Sequence, residues 1–300
     1  MQLFFKNLFY NSYHDIGWSV YDNWSNTLPQ NSILTFGLNT NSGWNLERTK
    51  KELQENNEPI MVYNAEPLNP EWHISKDLIE NMRGFDFIWD YNIKNIPILR
   101  DVGIEAKYRP TLYTERLKRI NNSEEPEIDI LFYGSMSAKR TKFINDFYAY
   151  AQIDKTILNK IAKNNPSISE SEFLVWEKAV ERLQTISFSW VLGHFTIDSL
   201  DKVLSRSKIV LDLTKEDWST HRNSSRIFYP LINNKCVLAE YHDDRDLFDG
   251  CIAEYKDEND FTRLIFELIV EDGWREYSNS GERFRKNSLE VKDKILNEGL

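Results

Sequence analysis

The run TKEDWSTHRNSSRIFYPLINNK, residues 214–235, joins a strand-like segment to a helix-like one whose first turn carries Ser224, Ser225 and Arg226. Hydroxyls and backbone N–H groups at a helix start can hold anionic oxygens, and an arginine adds a planar positive fork that suits a diphosphate. The same residues also read as an ordinary helix cap followed by a solvated first-turn arginine. A second candidate of this kind is ILFYGSMSAKR, residues 130–140, in which an apolar strand ends in Gly134 and Ser135 and a helix follows. There Lys139 or Arg140 can add positive charge to the N–H groups of the helix start, although a Gly-Ser pair after a strand is also simply a turn.

Other residues could bind hydroxyls or move protons. The loop NSYHDIGWSVYDNW, residues 11–24, sets His14 beside Asp15, and such a pair can accept a proton from a hydroxyl near neutral pH. Its aromatics Trp18, Tyr21 and Trp24 can stack on a flat or sugar ring, or pack the loop onto a sheet. Glu66 closes the strand-like PIMVYNAE and Asp90 closes FIWD. Either carboxylate can bind hydroxyls or act as a base; either can instead cap the helix that follows, and for Asp90 the cap is the preferred reading. Gly193 and His194 end the strand-like SFSWVLG, and Glu240 ends CVLAE. The Asp-x-Asp of Asp244 and Asp246 lies in a charged loop of an acidic chain, where such triplets are common, so no metal site is expected.

These residues need elements to place them. Strand-like runs at 3–10, 32–38, 59–64, 85–91 and 106–110 alternate with helix-like runs at 45–56, 74–83 and 93–102, the last ended by Gly103. The polar segment NNSEEPE, residues 121–127, breaks the pattern, and a buried-strand signature, IDILFYG, starts directly after it. Helix is then expected over 139–150, a helical insertion over about 154–183, strands at 187–192, 208–213 and 236–240, helices at 197–207 and 225–233, and mostly helix from 260 to 297. Strand and helix alternating in this way predict an α/β fold of two parallel-sheet domains, with ligands at the loops leaving the carboxyl ends of the strands.

Composition narrows the classes. A chain of 300 residues with 13% aromatics can bury a large core. The formal net charge of −10 argues against a surface built for nonspecific nucleic-acid binding, though the basic residues Arg100, Lys107, Arg109, Arg116, Lys118 and Arg119 could line a local patch. No run approaches the roughly 20 apolar residues that span a bilayer, and the start lacks a signal-peptide pattern, so a cytoplasmic protein is expected. Cys236 and Cys251 sit in or beside apolar runs and are expected to be buried free thiols.

In VYNAEPL (62–68), FIWDYNIKNIPILRDVGI (87–104), ILFYGSMSAKR (130–140), LDKVLSRSKIVLDL (200–213) and SRIFYPLINNKCVLAE (225–240), the chain resembles the GT-B glycosyltransferases, and among them the CgeB-type and capsule-type enzymes. The resemblance implies two Rossmann-like domains facing across a cleft: an acceptor-side domain at 1–120, a linker at 121–127, a donor-binding domain at 128–280 and a C-terminal helix at 281–300 packing back on the first domain. It implies transfer of a hexose or pentose from a nucleotide sugar, UDP-linked, with no cofactor and no metal. Donor contacts would come from Gly134, Ser135, Lys139, Arg140, Gly193, His194, Ser224, Ser225, Arg226 and Glu240; acceptor contacts from Trp18, Tyr21 and Asp90; catalytic groups from His14, Asp15, Glu66 and Arg226. The family's glutamate three positions after the basic residue, which holds the donor ribose, is Tyr229 here, and Glu240 could replace it. The acceptor would be a bacterial surface glycan or a hydroxymethylated base of phage DNA; the alternative is a nucleotide-sugar binder without catalysis.

Overall fold

The computed structural model describes residues 19–20, 22–27, 33–36, 59–65, 68, 79–80, 82–123, 125–151, 181–182, 184–191, 197–214, 224–242 and 247–298. Nine strands run along these residues: β1 Ile33–Phe36, β2 Ile60–Asn64, β3 Phe87–Asp90, β4 Lys107–Tyr108, β5 Ile128–Tyr133, β6 Phe188–Val191, β7 Ser207–Asp212, β8 Cys236–Glu240 and β9 Ala253–Tyr255. The helices that matter below are α1 Asn95–Asp101, α2 Ala138–Ala151, α3 Ile197–Ser205, α4 Ser224–Ile232, α5 Glu258–Ile265 and α6 Ser280–Glu298. The chain divides into two compact units, one of residues 1–118, 224–232 and 284–300, the other of residues 119–223 and 233–283.

The first unit holds a parallel sheet in the order β1-β2-β3-β4. Its central strands β2 and β3 are short and mostly apolar because they are buried: Met61, Val62 and Tyr63 are fully buried, and Val62 packs with Leu68, Met82, Ile88, Leu99 and Ile104. Helix α1 ends as its sequence dictates, with Gly103 at φ 77° donating its N–H to the Arg100 carbonyl. Strand β4 is only two residues long, and the Arg109 N–H beyond it still reaches the Asp90 carbonyl. Trp24 is fully buried and donates its indole N–H to the Pro110 carbonyl at 3.0 Å, so it packs its segment onto the unit rather than offering a stacking face. The later turns of α6 belong here too, with Phe284 fully buried edge-on to Tyr113 and the Ser288 hydroxyl accepting the Tyr113 N–H at 3.0 Å.

The second unit holds a five-stranded parallel sheet in the order β6-β5-β7-β8-β9. Ile130, Phe132, Ile209, Leu211 and Leu238 from its strands pack with Phe261, Ile265 and Leu268 from the helical layer. The chain leaves β5 to one side to form β6 and returns on the other to form β7, so the strand order reverses direction at β5 and β7. In open α/β sheets the crevice outside the carboxyl ends of two such strands is where ligands bind. Cys236 and Cys251 are buried free thiols, as their apolar settings predict. Among the described residues no helix is long and apolar enough to cross a membrane.

Candidate functional site

The loop after β5 is shaped by Gly134, whose φ of 135° is a conformation L side chains rarely adopt, and whose N–H bonds the Val191 carbonyl at 3.0 Å. Four residues later α2 begins, capped by Ser137, whose hydroxyl accepts the Arg140 N–H at 3.3 Å. Lys139 stands in the first turn of that helix. Its ammonium donates to the Thr214 hydroxyl at 2.6 Å and lies 3.2 Å from Oε1 of Glu240. The Thr214 hydroxyl in turn donates to Oε2 of Glu240. Lys139, Thr214 and Glu240 therefore meet from a helix start and from the carboxyl ends of β7 and β8, beside the crevice that the strand order defines. The group is partly open: the side chains of Lys139 and Glu240 keep 30% and 20% of their exposure, enough for a ligand to reach them.

Arg140, expected to face a ligand's phosphates, does something else. It is 1% exposed. Its Nε and Nη2 donate to the Leu213 carbonyl at 3.0 and 2.6 Å, its Nη1 donates to the Ser135 carbonyl at 2.6 Å, and its guanidinium lies over the Phe132 ring. Arg140 is thus a buried clamp that ties the loop after β5 to the loop after β7. Lys139 and Glu240 are brought together as proposed donor residues; Ser135 is exposed at the loop's surface.

Ser224 and Ser225 open α4 and Arg226 follows in its first turn, half-buried; this helix groups with the first unit. Tyr229, which stands where the resembled family has a glutamate, is buried, 1% exposed. His14, Asp15, Trp18, Tyr21, Glu66, Gly193, His194, Asp244 and Asp246 lie outside the described residues.

At the carboxyl edge of the first unit's sheet, Asp90 is a buried hydrogen-bond hub of the loop after β3 and does not cap α1, whose N-cap position is Lys94 with no side-chain cap bond. It is fully buried, and its carboxylate accepts from Asn64 Nδ2 at 2.7 Å, from the Asn92 N–H at 2.8 Å and from Asn95 Nδ2 at 3.0 and 3.1 Å. Burial pushes its pKa up to about 7, against the opposing pull of those donors. Arg109, one of the six basic residues of the candidate patch, is 6% exposed and stacks over Trp24 and Trp89 at 5.0 and 5.9 Å. Two more are engaged with acids, Arg116 with Asp22 at 3.3 Å and Arg119 with Asp201 at 3.1 Å.

Thr214 and Ser137 were not among the candidates. Both obey rules that could have found them: Thr214 directly follows the strand-like run LDL, where sheet ligand sites lie, and Ser137 precedes a helix, where a hydroxyl caps. Among the described residues no three His, Cys, Asp or Glu side chains form a group that could hold a metal ion.

The comparisons with known proteins bear on the fold. No protein-family model matches the chain, and no curated protein matches it by sequence. Solved structures do match. A sucrose-phosphate synthase from Thermosynechococcus elongatus superposes with a TM-score of 0.52 at 11% identity over 89% of this chain and 72% of its own. HepE from Anabaena, in complex with UDP and glucose, gives 0.51 at 10% identity over 89% of this chain and 77% of its own. An alpha-glucosyltransferase in complex with UDP and a 13-mer DNA containing an HMU base gives 0.51 at 12% identity over 89% of this chain and 80% of its own. The chain has the GT-B fold, an α/β architecture of Rossmann-like sheets.

Proposed function

We propose that this protein is a glycosyltransferase that moves a sugar from a nucleotide donor to an acceptor hydroxyl. The observation that carries the reading is the placement of Lys139 in the capped first turn of α2, next to the Gly134 loop and Glu240, at the carboxyl ends of the strands where the sheet order reverses. A diphosphate bound there would meet an ammonium and the N–H groups of a helix start, the two features that favour a dianion most. In the transfer, the bond from the anomeric carbon to the donor phosphate breaks, the acceptor oxygen bonds that carbon and loses its proton, and the nucleoside diphosphate leaves with its charge balanced by Lys139 and by those N–H groups. Arg140 and Thr214 hold this group without touching the donor. His14, Asp15 and Glu66 are the proposed bases of an inverting reaction; in a retaining one the leaving phosphate takes the proton.

The donor is proposed to be UDP-linked, as the ligands of two of the structural neighbours are. Glu240 is the proposed ribose contact, since Tyr229 is buried. The acceptor is proposed to be a saccharide and not DNA, because Arg109 is buried and Arg116 and Arg119 are ion-paired. Charge neutralisation by side chains and N–H groups leaves no need for a metal, so activity is expected in a chelator. The test is a thermal-shift screen of nucleotide sugars followed by an assay for released nucleoside diphosphate. The expected result is a raised melting temperature with one nucleotide class and slow hydrolysis without an acceptor. Binding without turnover would favour a non-catalytic binder, and no binding to any nucleotide sugar would refute the reading.

A further inference from the structure

We infer that Glu240 stands in for the donor's phosphate on Lys139 and thereby makes the site select a nucleoside diphosphate over free diphosphate; this rests on the proposed donor site. The argument begins with the ammonium, which has three N–H donors and no acceptor. One goes to the Thr214 hydroxyl at 2.6 Å, and Glu240 lies at 3.2 and 3.3 Å through its two oxygens. The carboxylate thus occupies the anion position of Lys139. An incoming phosphate and the Glu240 carboxylate are like charges competing for one cation, so their repulsion favours binding with Glu240 drawn away from Lys139.

Thr214 makes the exchange possible. Thr214 is buried, and its hydroxyl accepts from Lys139 and donates to Glu240, so it holds both partners independently of their contact with each other. When a phosphate takes the ammonium, Glu240 keeps the Thr214 hydrogen bond and gains room to accept others. A ribose supplies two hydroxyl donors that a carboxylate can take together. Inorganic diphosphate has no such vicinal pair. A nucleoside diphosphate therefore compensates the displaced Glu240, and a bare diphosphate does not. Glu240 in this account both penalises anions and rewards the ribose attached to the right one.

The test is calorimetric titration of the intact protein with pyrophosphate and with UDP, for wild type, Glu240→Gln, Glu240→Ala and Lys139→Ala, with circular dichroism to establish that each variant is folded. The glutamine keeps the size and loses the charge; the alanine reports the same loss should the glutamine fail to fold. Removing the competing carboxylate is expected to tighten pyrophosphate by roughly three- to fivefold, the scale of a partly exposed ion pair, while UDP does not tighten, so the preference for UDP over pyrophosphate falls. Lys139→Ala is expected to weaken both ligands. If Lys139→Ala weakens both but neither Glu240 variant tightens pyrophosphate, the stand-in role is wrong and the donor site survives. If Lys139→Ala leaves both ligands unchanged, the donor site itself is wrong and this inference falls with it.

Discussion

Replacing Arg140 by alanine separates two readings of one residue. A basic side chain after a Gly-Ser turn predicts a ligand contact, and its loss would then lower nucleotide binding while leaving the fold intact. The structure instead shows a guanidinium 1% exposed, with three N–H groups spent on the Leu213 and Ser135 carbonyls. Hydrogen bonds to a charged group contribute about 1.5–3 kcal/mol each, and a desolvated cation over an aromatic ring adds about 1. Water entering the space left by the side chain can rehydrate the two carbonyls, so the net loss falls below the sum of those contributions, to about 3 kcal/mol. For a unit of this size each kcal/mol shifts the melting temperature by about 2–4 °C, giving a fall of about 6–12 °C. Arg140→Lys keeps the charge but not the fork, can serve one of the two loops, and should fall between the alanine variant and wild type. Scanning calorimetry on the three proteins reads this directly. An alanine variant that melts with wild type yet has lost nucleotide binding would refute the clamp and restore the ligand contact.

Further perturbations test other parts of the account. Because burial raises the Asp90 pKa to about 7, above the ordinary carboxylate value of about 4, the native state holds its proton in that window and the unfolded chain does not. The stabilisation is full below about pH 4 and is lost as pH rises through 7, with a slope of at most about 1.4 kcal/mol per pH unit. Melting of the wild type relative to Asp90→Asn should therefore decline from pH 5 to pH 8, and a difference constant with pH would count against it. Phe284→Ala removes a fully buried ring set edge-on to Tyr113 and should destabilise by about 3–5 kcal/mol, read by urea unfolding; a cost under about 1 would mean that α6 does not anchor there. Gly273→Ala places a Cβ 2.8 Å from the Glu267 carbonyl oxygen, a backbone atom, and should lower the melting temperature; an unchanged value would show that the turn can shift without cost.

Much of the frame can be read from local pattern. The strand expected at 236–240 is β8 to the residue, the strand at 187–192 is β6 at 188–191, and the helix at 225–233 is α4 at 224–232. Each is a short apolar run bounded by turn formers, and such runs carry their own signal. Gly103 was readable for the same reason, as a helix stop. The roles within the site depend on distant chain. The direction of the Arg140 side chain is decided by the Leu213 carbonyl, 73 residues later, and no local rule contains that partner. Lys139 and Glu240 are 101 residues apart, and their pairing follows from β5, β7 and β8 lying side by side. Asp90 reads in the sequence as a helix cap, but it caps no helix, and its bond with Asn64 forms only once β2 and β3 are paired.

The claim that a donor's diphosphate binds at the carboxyl edge of the second sheet is tested most directly by a crystal structure of the protein with UDP. The account predicts phosphate oxygens within hydrogen-bond reach of the Lys139 ammonium and of the N–H groups between Gly134 and the start of α2, with Glu240 turned from Lys139 to the ribose hydroxyls. UDP bound with its phosphates away from Lys139 and from that loop would contradict it.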